Sequence, residues 1–194
     1  MKREQEVTWT LRTKRRTGDL AWLLHAHADL ARELGWDATF EAYVAEPMAA
    51  CVLRSAVDER IWIAEGEGGP LGCIAIVRSD FWKEPTVKAF RADDGTAVKS
   101  PPVTIAQAQL RWFLVRPEAR GQGLGKELLE RALTFSRVAS YDRVVLWTVS
   151  ELEAAARLYR AAGFEKVREV PGRHWGAEVV EEQYALWLGP RRWE

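Results

Sequence analysis

Cysteine is scarce in this chain, with two residues among 194, and histidine occurs only three times. Cys51 and Cys73 are too few for a disulfide framework and do not form a C-x-x-C pair, so we expect two buried thiols. No histidine has a cysteine or carboxylate beside it at the spacing of a zinc site. These shortages exclude a disulfide-stapled fold and argue against a metal site.

The chain also lacks an excess of either charge and any long apolar run. Lysine plus arginine and aspartate plus glutamate both number 28, so only the cluster Lys14-Arg15-Arg16 supports a nucleic-acid-binding alternative. The charged start carries no apolar signal-peptide segment, and no later run approaches the length of a membrane span. We therefore expect a cytoplasmic protein without nucleic-acid or membrane partners.

Length and composition are typical of one globular domain. With 47% hydrophobic and 29% charged residues, the chain is long enough to bury a core without disulfides. No repeat, low-complexity tract or linker divides it, so we predict a single domain, residues 1–194, with a core from about residue 8 to 188. Residues 78–104 lose periodicity and carry several prolines, which predicts an insertion or long loop.

Apolar periodicity predicts secondary-structure elements in the order βααβββαβαββ. Residues 6–12 alternate as a strand, a first helix ends at Gly35, and a second continues past Pro47 with a kink or break. Two apolar runs around the glycine-rich turn 65–70 predict a hairpin. The later elements are a strand at 107–115, a helix at 122–139, a strand at 143–149, a helix opened by a capping box of Ser150 and Glu153, and strands at 164–170 and 179–188.

A glycine-rich turn between a predicted strand and a predicted helix is the most informative stretch. Backbone N–H groups at a helix N-terminus point at a common centre, and the helix dipole adds partial positive charge, so such a turn can hold phosphate. Gly121, Gly123 and Gly125 would let an anion approach the backbone. Arg120 and Lys126 place two cations at the rim. A dinucleotide fingerprint would need glycine where Lys126 stands, and a P-loop motif is absent. The alternative is that the glycines serve only to make a tight turn between the strand and the helix.

Two motifs resemble those of the GNAT N-acetyltransferase family. Val115-x-Pro117-x-x-Arg120-Gly121-x-Gly123-x-Gly125 is similar to the family's pyrophosphate signature. Leu158-Tyr159-Arg160-Ala161-Ala162-Gly163-Phe164 is similar to its later L-Y-x-x-x-G-F motif. The predicted element order is also the family's, so the resemblance covers nearly the whole chain. Gly35-Trp36-Asp37, Thr39-Phe40-Glu41 and Leu146-Trp147-Thr148 further resemble the acetyltransferase domain of MarR-GNAT fusion proteins.

The resemblance implies an α+β fold with a central mixed, twisted sheet of about seven strands flanked by about four helices. It implies acetyl-CoA as cofactor and a primary amine of a small molecule or peptide as acceptor, acylated by direct attack in a ternary complex. In the family, the strand before the turn parts from its neighbour and pairs with the pantetheine arm. The cofactor-binding residues implied are Phe113, Leu114, Val115, Arg120, Gly121, Gln122, Gly123, Leu124, Gly125, Lys126, Thr148, Leu152, Ala155 and Tyr159.

Tyr159 is the catalytic residue that the resemblance implies, as the group that protonates the leaving thiolate. Helical spacing agrees, because Leu152, Ala155 and Tyr159 lie at i, i+3 and i+7 on one face. The alternative is a core tyrosine whose hydroxyl hydrogen-bonds locally.

The sequence departs from the family pattern in two places. Gln109 stands where many members carry the carboxylate of a general base, and Val149-Ser150 stands where many carry an asparagine. The general base is therefore open. A non-catalytic acyl-CoA-binding sensor or interaction module remains the alternative function, and Tyr159 argues against it.

Candidate substrate-binding residues are Trp36, Glu41 and Arg111. The two front helices, where Glu41 lies, border the acceptor site in the family. The other titratable candidates are His25 and His27. His27 lies on the apolar stripe of its helix, which favours a core histidine, and Glu41 could be a solvated helix residue. A homodimer is left open.

Tryptophan is frequent, with ten residues. Most mark core and strand positions, but Trp36, Trp82 and Trp112 could line an acceptor pocket, which favours an apolar or aromatic amine. Residues 78–104 leave the sheet beside the expected parting of strands, so we expect them to shape the acceptor side.

Overall fold

The structure is a computed structural model that describes residues 7–79 and 105–189, together with the backbone of 89–91 and 97–99. Its α-helices are α1 Asp19–Leu34, α2 Thr39–Arg54, α3 Leu124–Val138 and α4 Glu153–Ala161. Its strands are β1 Thr10–Arg12, β2 Arg60–Gly66, β3 Gly69–Arg78, β4 Ala89–Arg91, β5 Ala97–Lys99, β6 Gln107–Val115, β7 Arg143–Val149, β8 Glu165–His174 and β9 Ala177–Trp187.

Seven of these strands form one mixed sheet in the order β1-β2-β3-β6-β7-β9-β8. The β6–β7 pairing is parallel and the other pairings in this sheet are antiparallel. The predicted α+β fold with a seven-stranded mixed sheet and four helices is confirmed. The predicted element order is recovered once the β4–β5 hairpin inside residues 78–104 is set aside; apart from Arg78 and Ser79 and that hairpin, the segment lies outside the described residues.

Helices cover both faces of the sheet, which explains why its central strands are apolar without alternation. Cys73 and Ala75 of β3 lie in one buried cluster with residues of α1 and α2. Ile74 and Ile76, the alternate residues of β3, lie in a second cluster with residues of α3 and α4. The sheet thus separates an α1/α2 side from an α3/α4 side.

An ion network fixes the start of α1 against the sheet. Both guanidinium NH groups of Arg12 in β1 donate to Asp19 at 2.7 Å, and its Nε donates to Glu65 of β2 at 2.6 Å. The hydrogen bond from Arg12 lowers the pKa of Asp19 below its ordinary value. The network joins β1, α1 and β2.

Two details of the sequence-based prediction need correction. Pro47 does not break α2, which runs on to Arg54. A proline removes one helical hydrogen bond, and the buried packing of Val44, Met48 and Cys51 on the sheet holds the helix together.

The predicted capping box does not form. The residue at the N-cap of α4 is Leu152, and no side chain caps this helix. The Ser150 hydroxyl donates to Glu151 at 3.1 Å instead. A turn intervenes, closed by the Leu152 amide donating to the Val149 carbonyl at 3.0 Å, so the helix starts too late for Ser150 to reach it.

Both cysteines are free and buried, as expected, and burial raises the pKa of Cys51 to about 11. Within residues 7–79 and 105–189, no three His, Cys, Asp or Glu side chains are grouped so that they could hold a metal ion. None of the helices in the described part of the chain is long and apolar enough to cross a membrane.

Candidate active site

Strands β6 and β7 pair only at their beginnings and then separate. Their parallel register runs from Gln107 opposite Arg143 to Gln109 opposite Val145 and goes no further. Beyond it, β6 remains bonded to β3 as far as Val115, and β7 remains bonded to β9. The edges of β6 and β7 that face each other therefore form a V-shaped cleft through the sheet, which is the parting of strands that the resemblance implied.

A β-bulge in β6 arranges the side chains at this cleft. Arg111 pairs with Ala75 and Leu114 pairs with Cys73, so Trp112 and Phe113 together face the single residue Ile74. Trp112 has a φ of 51°, and its carbonyl accepts a hydrogen bond from the Cys73 thiol at 3.0 Å. Because the bulge shifts the alternation, Trp112 packs on the α1/α2 side next to Arg111, and Phe113 packs against the other side.

The glycine-rich turn follows β6 and opens α3. Gly121 and Gly123 have φ values of 76° and 92°, a left-handed conformation that other residues rarely adopt. In the part of the chain that the structure describes, the backbone N–H groups of residues 121–126 have no hydrogen-bond acceptor. Unpaired amides at the start of a 15-residue helix form a site for an anion.

Gly125 has a different role in this turn. A Cβ at this position would lie 3.2 Å from Cδ1 of Leu158 and 3.5 Å from the ring of Phe113. The absence of a side chain therefore lets α3 approach α4 and β6 closely, and this approach shapes the narrow start of a groove.

Four neighbouring side chains were predicted to bind the cofactor together with the amides, and the structure places them differently. The Arg120 Nε donates to the Val115 carbonyl at 2.9 Å, so this side chain bends back over the end of β6. Gln122 accepts from the Val7 amide and donates to the Glu118 carbonyl, which ties it to the protein itself. Leu124 is fully buried in the core, and Lys126 is exposed, 3.8 Å from Glu130.

A groove, which we call the glycine groove, leads from the turn into the space between β6 and α4. Its walls include Leu30 and Leu34 of α1, residues 113–115 of β6, Gly121, Gly125, and Leu152, Ala155 and Leu158 of α4. It is mostly apolar along its length, with the unpaired amides at one end. This shape suits a ligand with a phosphate at one end and a slender chain behind it.

A second hollow, which we call the aromatic cavity, continues from the inner end of the glycine groove to the α1/α2 side. The two share Leu30, Phe113, Leu152 and Ala155 as walls. Tyr159 and Thr148 line the aromatic cavity and do not line the glycine groove. Thr148, which was predicted to bind the cofactor, therefore lies on the wall of the same cavity as the predicted substrate residues Trp36 and Arg111.

Tyr159 lines the aromatic cavity next to Phe113, a residue that lines both hollows. It is buried, with 5% of its surface exposed, and its ring packs on Phe113, Phe164 and Tyr184 at centroid distances of 5.9 to 6.0 Å. Among the described residues its hydroxyl has no hydrogen-bond partner, unlike Tyr184, whose hydroxyl donates to Glu182 at 2.9 Å. Burial raises the pKa of Tyr159 above its ordinary value, so the phenol keeps its proton at neutral pH.

Aromatic rings form the far wall of the aromatic cavity. Trp36 contacts Phe40 and Trp175 with ring centroids 4.7 Å apart, and Tyr43 lies 5.3 Å from Trp175. Trp175 is at the tip of the β8–β9 hairpin, held there by the Asp37 amide, which donates to its carbonyl at 2.8 Å. The predicted role of Trp36 at an acceptor pocket agrees with this placement, and Trp82 lies outside the described residues.

Charged and titratable groups complete the cavity wall. Arg111 lies 5.5 Å from the ring centroid of Tyr43 and 5.6 Å from that of Trp112, with no carboxylate partner in the described residues. The Nδ1–H of buried His27 donates to the Leu23 carbonyl at 2.7 Å, and burial lowers the pKa of His27, so the ring is neutral. Gln109 also lines the cavity, and its side chain carries no titratable group.

Glu181 of β9 also lines the aromatic cavity, and no sequence pattern had indicated it. Its carboxylate lies 3.4 Å from His174 Nε2. Only the register of β9 against β7, which places Glu181 opposite Val149, brings it to the cleft. By contrast, Glu41 and His25 are exposed and lie outside the cavity, so the structure does not gather these two candidates at the site.

The sequence places this arrangement in a family. Residues 57–166, more than half of the chain, match the profile described as an acetyltransferase (GNAT) domain. The chain therefore belongs to the GNAT acetyltransferase family. Acetyl-CoA is the co-substrate of this family.

Curated relatives include the rat N-acetyltransferase family 8 member 3, 32% identical over 56% of this chain and 39% of that protein. The zebrafish N-acetylaspartate synthetase is 29% identical over 68% of this chain and 36% of its own length. The chain spans about two fifths or less of these two relatives. Among solved structures, yncA from Salmonella typhimurium, which contains its cofactor acetyl-CoA, has a TM-score of 0.65 and 19% identity over 95% of this chain and 96% of that one.

An N-acetyltransferase from Staphylococcus aureus has a TM-score of 0.66 and 18% identity over 94% of this chain and 99% of its own. At these identities the structural likeness shows the fold alone.

Proposed function

We propose that the chain is an N-acetyltransferase that transfers the acetyl group of acetyl-CoA to a primary amine of a small molecule or peptide. The amine attacks directly while both substrates are bound. The observation that carries this proposal is the junction at Phe113, next to Tyr159, where the glycine groove and the separate aromatic cavity share walls at the cleft between β6 and β7.

The glycine groove fits acetyl-CoA at both of its ends. The unpaired amides of residues 121–126 can hold the pyrophosphate. The free edge of β6 at Phe113, Leu114 and Val115 can pair with the amides of the pantetheine arm as an added strand would. Leu152, Ala155 and Leu158 provide the opposite apolar wall. When bound there, acetyl-CoA supplies a thioester whose carbonyl carbon accepts the amine.

Side chains and backbone at the junction have two tasks. A backbone N–H on the free edge of β6 can donate to the thioester oxygen as it gains negative charge. The Tyr159 hydroxyl can donate its proton to the departing sulfur. A thiol is ordinarily more acidic than a phenol, but the same buried setting that raises the pKa of Tyr159 also raises that of a thiolate released beside it. A thiolate formed at this buried site is therefore a stronger base than it would be in water.

The aromatic cavity favours an amine that carries an apolar or aromatic group, because Trp36, Phe40, Tyr43 and Trp175 present ring faces and edges to the acceptor. Arg111 offers a cation on the same wall. Residues 78–104, which were expected to shape the acceptor side, lie outside the described residues apart from Arg78, Ser79 and the β4–β5 hairpin.

Removing one ring should weaken acceptor binding without affecting the cofactor. We expect Trp175→Ala to raise KM for an aromatic amine by roughly 10-fold to 100-fold, because truncating a buried aromatic contact costs about 1 to 3 kcal/mol. The dissociation constant of acetyl-CoA should stay unchanged. Steady-state kinetics with calorimetry measures both, and an unchanged KM would show that this ring does not bind the acceptor.

The function is tested on the full chain in two steps. Calorimetry measures acetyl-CoA binding, and thiol release is then followed with a broad panel of amines and peptides. The proposal expects binding and amine-dependent release of thiol. Binding without release for any amine would instead support an acyl-CoA sensor or interaction module. The resemblance to MarR-GNAT fusion proteins, a cytoplasmic location and a homodimer stay predictions.

A further inference from the structure

We infer that Glu181 is the general base that removes a proton from the acceptor ammonium. The inference rests on the proposed function, since it names a residue for the same reaction. It starts from a chemical requirement: alkyl amines are protonated at neutral pH, and an ammonium nitrogen has no lone pair with which to attack.

Glu181 is the carboxylate that the described chain places on the wall of the aromatic cavity. The strand register fixes the position of Glu181. On β9 it pairs with Val149, which is the last residue of β7, and β7 forms one arm of the cleft. Gln109 pairs with Val145, four residues earlier on β7, where β6 and β7 still hydrogen-bond. At about 3.3 Å per residue, Glu181 is displaced along β7 by roughly 13 Å toward the open end of the cleft. Many family members carry the base at the position of Gln109 on β6, whereas in this chain the proposed base lies on β9.

The surroundings of Glu181 suit a proton acceptor that must be regenerated. Its side chain is 23% exposed and its carboxylate lies 3.4 Å from His174 Nε2, and the His174 side chain is 44% exposed. A proton taken from the acceptor can therefore leave toward solvent along this pair. The other titratable or charged groups that face the cavity, one from each packed element, are His27 of α1, Tyr43 of α2, Arg111 of β6 and Tyr159 of α4.

His27 is the competing base, and charge decides against it. A proton on His27 would create a buried cation, which both desolvation and the charge of Arg111 oppose. A proton on Glu181 instead removes a negative charge from a partly apolar wall. The carboxylate also attracts the incoming ammonium, so one group binds the acceptor and neutralises it.

The proton balance closes with Glu181 acting on the acceptor ammonium and Tyr159 acting on the departing sulfur. Glu181 takes one proton from the ammonium and passes it to solvent. The C–N bond then forms and the C–S bond breaks, and the sulfur takes the Tyr159 proton. The nitrogen loses a second proton as it becomes an amide, and this proton restores Tyr159. The products are an N-acetylated amine, a free thiol and one proton in solution.

Acceptors of different basicity provide the test. For an alkylamine at pH 7, Glu181→Gln should lower kcat/KM by roughly 10²-fold or more through kcat, because general base catalysis is worth that much. For an arylamine, which is already neutral at pH 7, the loss should stay within about threefold, because no ammonium proton has to be removed. Glu178→Gln, an exposed change on the same strand, should change neither rate. Acetyl-CoA affinity should remain that of the wild type.

A second readout uses alkylamine alone. The deficit of Glu181→Gln should shrink as pH rises toward the pKa of the amine, because the neutral form is then supplied by the solution. An equal loss for both amines at every pH, a raised KM with unchanged kcat, or the selective loss appearing in His27→Gln would overturn the inference. Turnover by the wild-type chain tests the proposed function separately, so the two failures are distinguishable.

Discussion

Replacing Tyr159 by phenylalanine is expected to lower kcat by roughly 10² to 10⁴ while the dissociation constant of acetyl-CoA changes little. Tyr159 lines the aromatic cavity and its hydroxyl has no protein partner among the described residues, so its removal deletes a proton donor and leaves the packing of the ring on Phe113 and Phe164 intact. The residual rate reflects the ability of a thiolate to leave without help. Single-turnover kinetics and calorimetry on the same protein measure the two quantities.

Tyr141→Phe is the matched control. Tyr141 is another buried tyrosine whose pKa is raised by burial, but its hydroxyl donates to the Asp58 carbonyl at 3.0 Å and it does not line either hollow. We expect this variant to lose some stability and to keep its kcat. Wild-type turnover in Tyr159→Phe, with chemistry shown to limit the rate, would make Tyr159 a core residue only.

The second large effect is expected at the glycine turn, where Gly123→Val should weaken acetyl-CoA binding by roughly 100-fold or more, equivalent to about 2.8 kcal/mol. A Cβ at Gly123 would meet no protein atom within 4 Å, so the added side chain would not clash with the rest of the protein. A β-branched residue is also strained at a φ of 92°, which would pull the amides of the turn out of alignment. Calorimetry with acetyl-CoA measures the loss.

Gly18 offers a control for the strain itself. It has a φ of 95°, also stands at the N-cap of a helix, and likewise has no atom within 4 Å of an added Cβ. Gly18→Val and Gly123→Val should therefore lose similar stability, about 1 to 2 kcal/mol each. Only the second should lose the cofactor. Equal acetyl-CoA affinity in the two folded variants would mean that the turn at Gly123 has a structural role alone.

Local sequence patterns predicted most of the fold and located the segments that line the glycine groove. Residues 120–126 and the helix of Tyr159 are short continuous segments, so spacing, periodicity and motif resemblance suffice to locate them. The parting of β6 from β7 followed from the family resemblance and is visible in the register, which ends at Gln109.

The acceptor side could not be predicted in the same way, because distant segments build it. Trp175 reaches Trp36 only because the β8–β9 hairpin tip is held against the start of α2, and Glu181 reaches the cleft only through its pairing with Val149. The bulge at Trp112 depends on its contacts with β3. Such positions are fixed by strand pairing across the sheet, and no spacing along the chain encodes them directly. The failed capping box at Ser150 shows the converse, since a local motif yielded to the turn that follows β7.

The most direct test of the account is the location of acetyl-CoA in a crystal structure of the chain with this cofactor bound. The account predicts that the pyrophosphate contacts the amides of residues 121–126, that the pantetheine arm runs beside residues 113–115, and that the sulfur lies within hydrogen-bonding distance of the Tyr159 hydroxyl. The thioester carbonyl should then face the aromatic cavity that contains Glu181. A cofactor bound outside the cleft between β6 and β7, or one whose sulfur points away from Tyr159, would contradict it.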